Sequence, residues 1–186
     1  MGEIVGAGFL SHAPTIMFSK EMRLELNEGR EISLVPGLHR LRSEVLDALK
    51  PDAILVFDTH WYTTVEFVIT AHSRRVGKYT SEELPRGMAQ IPYDLKGNEA
   101  LAHGISQQVS DHGVRCFASD DPCLPIHYPT INLAHFLNRG ESWLSMGVCQ
   151  TGRDHHFLAV GEGIAKAIEQ SDQRVVLIAS GYQRPK

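Results

Sequence analysis

Cysteine is scarce in this chain of 186 residues. Cys116, Cys123 and Cys149 make an odd count with no Cys-x-x-Cys spacing. That argues against a disulfide framework or a cysteine-built zinc site, and reads as reduced thiols in the cytoplasm. An excess of positive charge is absent too. Eighteen Lys and Arg against 22 Asp and Glu leave a formal net charge of −4 with histidine neutral. Such a balance gives no electrostatic case for nucleic acid or an anionic membrane as partner. No apolar run approaches the ~20 residues that span a bilayer. Met1-Gly2-Glu3 places no basic segment ahead of the first apolar stretch, so no secretory signal is expected. Missing as well are a Gly-x-Ser-x-Gly elbow, a phosphate-binding glycine loop and a dinucleotide fingerprint. Serine hydrolases, P-loop nucleotide hydrolases and dinucleotide-dependent dehydrogenases therefore lose their support.

What remains is an ordinary globular composition, 42% hydrophobic and 22% charged. The length suits one domain that buries roughly 70% of its unfolded surface. The unusual feature is ten histidines, scattered along the chain rather than gathered at one end.

Apolar runs and helical spacings alternate. Ile4 to Phe9 predicts a first strand, with Gly6 and Gly8 permitting close backbone approach. Residues 17 to 33 are polar, and a short helix is the most they support. Pro36 opens a helix whose Leu38, Leu41, Val45 and Leu49 share one face, and Pro51 stops it. Ala53 to Phe57 is a short apolar run ending in Asp58-Thr59-His60-Trp61, the pattern of a strand buried on both faces. Val65 to Thr70 predicts another strand. Residues 73 to 97 predict a long loop with at most a short strand. Asn98 caps a helix to about Asp111, with Gly113 behind it as a stop. Further strands are predicted at Val114 to Ala118, Trp143 to Cys149 and Val175 to Ala179. Helices are predicted over Thr130 to Asn138 and from His155 to Gln170, the latter capped by Asp154. The fold class is α/β: a single domain, 1 to 186, with a mostly parallel or mixed sheet flanked by helices.

In open parallel sheets functional groups stand just past the carboxyl ends of strands. Two strands, predicted to be neighbours, each deliver a histidine there: His12 in Ser11-His12-Ala13-Pro14, and His60. Imidazole suits iron, zinc, copper or nickel, and two such groups with one carboxylate form a facial triad with open positions. Asp58, two residues before His60, either orients a ligating imidazole or caps a turn. His127-Tyr128 follows a proline-rich loop after a strand, and either stands near a pocket or belongs to an ordinary loop. Trp61 either lines the pocket wall or packs. His155 and His156 open a helix side by side, and adjacent positions there point apart. His103 and His112 belong on an exposed face.

Four segments together carry a resemblance. They are Ser11-His12-Ala13-Pro14, Val56-Phe57-Asp58-Thr59-His60-Trp61, Tyr79-Thr80-Ser81-Glu82-Glu83-Leu84-Pro85 and Ile178-Ala179-Ser180-Gly181. In this order and spacing the chain resembles the class III extradiol ring-cleavage dioxygenases of the catalytic-subunit type. It is most similar to the branch that opens 3,4-dihydroxyphenylacetate (homoprotocatechuate). The resemblance implies a non-haem Fe(II), with Mn(II) or Zn(II) as alternatives, held by His12 and His60. It implies a catechol-type substrate and dioxygen, cytoplasmic location, and a homo-oligomer or partner subunit. The family's Ala-Ser-Gly segment continues into Leu-Ser-His and, further on, a ligand glutamate. Here Ser180-Gly181 runs into Tyr182-Gln183-Arg184-Pro185-Lys186, so the chain reads as the N-terminal two thirds of such an enzyme. The family's short pocket motif matches His127-Tyr128-Pro129-Thr130, which implies a catalytic part for Tyr128 and His127. A non-catalytic metal-binding or scaffold protein on the same fold is the alternative that this sequence leaves open.

Overall fold

A computed structural model describes residues 1–79 and 91–181. Six strands form one sheet in the order β1 (Glu3–Leu10), β8 (Arg174–Ser180), β2 (Ala53–Thr63), β7 (Ser142–Cys149), β3 (Phe67–Thr70) and β6 (Cys116–Ser119). Every pairing is parallel except β3 with β7. The α/β architecture with a mixed, mostly parallel sheet is therefore as the sequence predicts. The predicted adjacency of β1 and β2 is corrected: β8 lies between them. The reason is burial. Val175, Val176 and Ile178 are almost fully buried, whereas much of β1 is exposed and suits only an edge.

The sheet is covered on both faces, and β2 shows how. Ile54 and Val56 enter one apolar cluster, while Ala53 and Leu55 enter the other. This is the two-residue alternation of a strand buried on both sides. The first cluster is roofed by α2 (Leu34–Arg40) and α5 (Tyr128–Leu137), the second by α4 (Glu99–Asp111) and α6 (Asp154–Gln170). A short α1 (Lys20–Leu26) occupies the polar stretch near the N-terminus. The Asn98 side chain caps α4 by accepting from the Leu101 N–H at 3.0 Å, and Gly113 follows with φ +82°. At α6 the expected Asp154 cap is corrected. Arg153 is the capping residue, and His156 Nδ1 accepts its N–H at 3.0 Å. The expectation that His155 and His156 diverge is corrected as well, since their rings lie 4.0 Å apart.

The helix that leads into β2 differs from its sequence pattern in an informative way. After α2 it continues through a π-helical segment, Leu41–Leu46, and a last turn α3 (Asp47–Leu49). One extra residue per turn rotates the buried stripe. Val45, predicted to face the core, is 42% exposed, while Leu46 at 2% and Arg42 at 4% turn inward.

The predicted loop over residues 73 to 97 instead contains a hairpin-like pair, β4 (Arg74–Lys78) and β5 (Pro92–Lys96), antiparallel to each other. The Tyr79 to Pro85 segment that helped to carry the resemblance lies outside the described residues beyond Tyr79, as does Tyr182 to Lys186. All three cysteines are free, and burial pushes the Cys116 thiol up to about 11. No helix among the described residues is long and apolar enough to cross a membrane.

Candidate metal centre

Because β1, β8 and β2 are parallel, their carboxyl ends share one edge of the sheet. Strands two apart in a sheet are separated by about 9–10 Å. Even so, the His12 and His60 rings stand 5.0 Å apart, edge to face. Two local devices close the gap. His12 lies two residues beyond β1, where a single turn of 3-10 helix at Pro14–Met17 redirects the chain. His60 lies in a bulge. The pairing of β2 with β7 passes directly from Asp58–Gly147 to Tyr62–Val148, leaving Thr59, His60 and Trp61 out of the ladder. Bulges of this kind re-aim side chains beside functional sites. Gly147 makes room for it, since a Cβ there would meet the Trp61 carbonyl oxygen at 3.0 Å and the Trp61 ring at 3.1 Å.

The bulge is pinned by Asp58, which is fully buried. One carboxylate oxygen accepts the His60 backbone N–H at 3.0 Å. The other accepts the Thr130 N–H at 3.2 Å and the Thr130 hydroxyl at 2.8 Å. The Thr130 hydroxyl in turn accepts from Ser145 on β7 at 3.0 Å. Thr130 is in the first turn of α5, where free amide groups favour a carboxylate. Asp58 thus ties the end of β2 to the start of α5 and bonds to neither imidazole ring. Replacing it with asparagine puts an amide N–H against donors and should cost about 1–3 kcal/mol. Chemical denaturation measures this, and a loss below a few tenths of a kcal/mol would show that the carboxylate is dispensable.

Through that tie α5 delivers Tyr128. Its hydroxyl lies 2.8 Å from His60 Nε2, and its ring is 4.6 Å from the His60 ring and 5.6 Å from the His12 ring. His127, the residue before the helix, stacks on Trp61 at 5.8 Å with planes 12° apart. Trp61 is only 7% exposed, packed between this stack and Gly147. His12 is buried, its Nδ1 2.5 Å from the Ser180 hydroxyl and its carbonyl accepting from Asn132 Nδ2 at 2.8 Å.

The structure therefore brings His12, His60 and Tyr128 into mutual contact, with Asp58 beneath and the His127–Trp61 stack beside them. His103 and His112 are exposed on α4 and just after it. Sequence reasoning assigned no part to Ser180, Asn132, Thr130 or Ser145. Hydroxyl and amide residues at strand ends and in a first helical turn carry no distinguishing spacing, so only the three-dimensional pairing exposes them.

The spacing of the two ring centres falls in the range that one shared ion would set, a range it shares with ordinary edge-to-face ring packing. A metal–nitrogen bond of about 2.1 Å plus about 1.1 Å to the ring centre, at a right-angled to tetrahedral bite, separates ring centres by roughly 4.5–5.2 Å. The observed 5.0 Å lies in that window. Among the described residues no group of three His, Cys, Asp or Glu side chains converges.

Residues 6–183 match the model of the family described as the catalytic LigB subunit of aromatic ring-opening dioxygenase, and the chain belongs to that family. It is 30% identical over 184 residues to the 3,4-dihydroxyphenylacetate 2,3-dioxygenase of Escherichia coli, a match covering 97% of this chain and 66% of that protein. It is 25% identical over 141 residues to the 2-aminophenol 1,6-dioxygenase alpha subunit of a Pseudomonas species, covering 74% of this chain and 52% of that one. The crystal structure of an uncharacterized Escherichia coli K12 protein, JW3007, shares the fold with a TM-score of 0.63 at 17% identity, covering 94% of this chain and 59% of the other. The chain thus spans about half to two thirds of the length of the two dioxygenase relatives it matches.

Proposed function

We propose that this chain carries the two-histidine half of a metal centre for extradiol opening of an aromatic ring. The substrate class is an aromatic with two adjacent hydroxyls, such as 3,4-dihydroxyphenylacetate. The relative that acts on 2-aminophenol widens the class to an adjacent hydroxyl and amine. The observation that carries the reading is the approach of His12 and His60 to 5.0 Å from strands that are not neighbours.

Fe(II), when bound, supplies a centre on which a catechol and dioxygen, which otherwise react slowly, are brought together. His12 and His60 would hold it. To Tyr128, whose hydroxyl lies beside His60, this reading gives the transfer of a proton at a substrate hydroxyl. His127, half-buried and backed by Trp61, is the side chain of that stack that would border an aromatic ring. Asp58 acts on His60 through the backbone and keeps the bulge and α5 in register.

Anaerobic loading with Fe(II), then addition of 3,4-dihydroxyphenylacetate and air, tests the proposal. A yellow ring-opened product is expected from the chain or from the chain with a partner subunit. Full iron loading without any product, alone or with partner, would favour the second reading, a non-catalytic metal-binding or scaffold protein. The one observation on that side is that no third acidic, histidine or cysteine ligand converges among the described residues.

A further inference from the structure

Ser180 ends β8 and is fully buried. The parallel register sets it opposite Leu10, and the Gly181 N–H donates to the Leu10 carbonyl at 2.9 Å. Beyond Leu10 the chain turns, and His12 arrives over Ser180 with Nδ1 2.5 Å from Oγ. Asn132 on α5 fixes the backbone of the same residue by donating to its carbonyl. Ring and main chain of one candidate ligand are thus held by two different elements.

The bond at one imidazole nitrogen decides what the other presents. A ligating histidine most often gives its second N–H to a carboxylate or a carbonyl, which can only accept. A hydroxyl both donates and accepts. With the site empty, Ser180 can donate its O–H to Nδ1, which satisfies a fully buried hydroxyl. With a metal on Nε2, the hydrogen sits on Nδ1 and Oγ accepts it. We propose that Ser180 is a positioning residue for His12: its hydroxyl engages Nδ1 in both states and so reserves Nε2 for the metal. The proposal rests on the reading of His12 as a ligand, and its test separates the two.

The full chain is compared with Ser180→Ala, Ser180→Thr and His12→Ala. In metal-free protein labelled with ¹⁵N at histidine, His12→Ala assigns the His12 ring signals. Removing the hydroxyl should move both ring-nitrogen shifts, and threonine should restore them. Shifts unchanged in Ser180→Ala overturn the proposal, whether or not the chain binds metal. Anaerobic calorimetric titration with Fe(II) is the second readout. Ser180→Ala should bind about 10–100-fold more weakly, with threonine close to the parent. If Ser180→Ala binds Fe(II) as tightly as the parent while His12→Ala has lost it, His12 stands as a ligand and the part given to Ser180 falls. If the parent chain itself binds no Fe(II), the metal reading falls and takes this proposal with it.

Discussion

Replacing Arg42 with alanine is expected to cost about 3–5 kcal/mol of folding stability, the range for breaking a buried ion pair from one side. The guanidinium is almost wholly buried and each of its three nitrogens is used. It meets Asp47 Oδ1 from Nε at 3.0 Å and from NH2 at 2.7 Å. NH1 meets Glu141 Oε1 at 2.5 Å and the Leu137 carbonyl at 2.9 Å. These partners belong to three places: the turn after the π-helical segment, the last turn of α5, and the approach to β7. The Glu141 side chain is only 8% exposed, so removal of Arg42 strands a carboxylate that water reaches poorly. It also frees a carbonyl at the end of the helix that carries Tyr128. Lysine should recover only part of the loss, because a single ammonium cannot reproduce the fork. Urea denaturation with an unchanged slope measures the effect. A loss below about 1 kcal/mol would place the pair in the class of exposed surface ion pairs.

Replacing His60 with alanine should lower Fe(II) affinity at least about 100-fold, and replacing His12 should do the same, since each leaves one imidazole on this chain. Replacing His103, exposed on α4, should change nothing. Calorimetry under anaerobic conditions reads all three. The contrast matters more than any single value. Equal losses at His12 and His60 with none at His103 mark a shared ion. A loss at only one of the pair would mean that the 5.0 Å approach of the rings is packing.

Much of this site was legible in the sequence because chemistry and strand ends coincide. His12 and His60 each follow an apolar run, and parallel strands carry such residues to one edge. Asp58 was legible only as a position near those runs, and Tyr128 through its loop and the pocket motif of the resemblance. The adjacency of β1 and β2 was misread, since strand order is settled by which strand can be buried on both faces, a property of the last strand in the chain. The π-helical segment was invisible because Leu38, Leu41, Val45 and Leu49 fit an ordinary helix well. Only packing shows that Leu46 and Arg42 displace Val45 from the core. The bulge at Thr59 to Trp61 left no mark in β2 itself. Its signature lies across the ladder at Gly147, where a side chain would collide with Trp61.

The central claim is that His12 and His60 share one metal ion. The most direct measurement is a crystal structure of the chain loaded anaerobically with Fe(II), with an anomalous difference map at the iron edge. A single peak within about 2.0–2.2 Å of a ring nitrogen of both His12 and His60 is the predicted result. A peak bound elsewhere, such as at the His155–His156 pair, or no peak at the carboxyl edge of β1, β8 and β2, would contradict it.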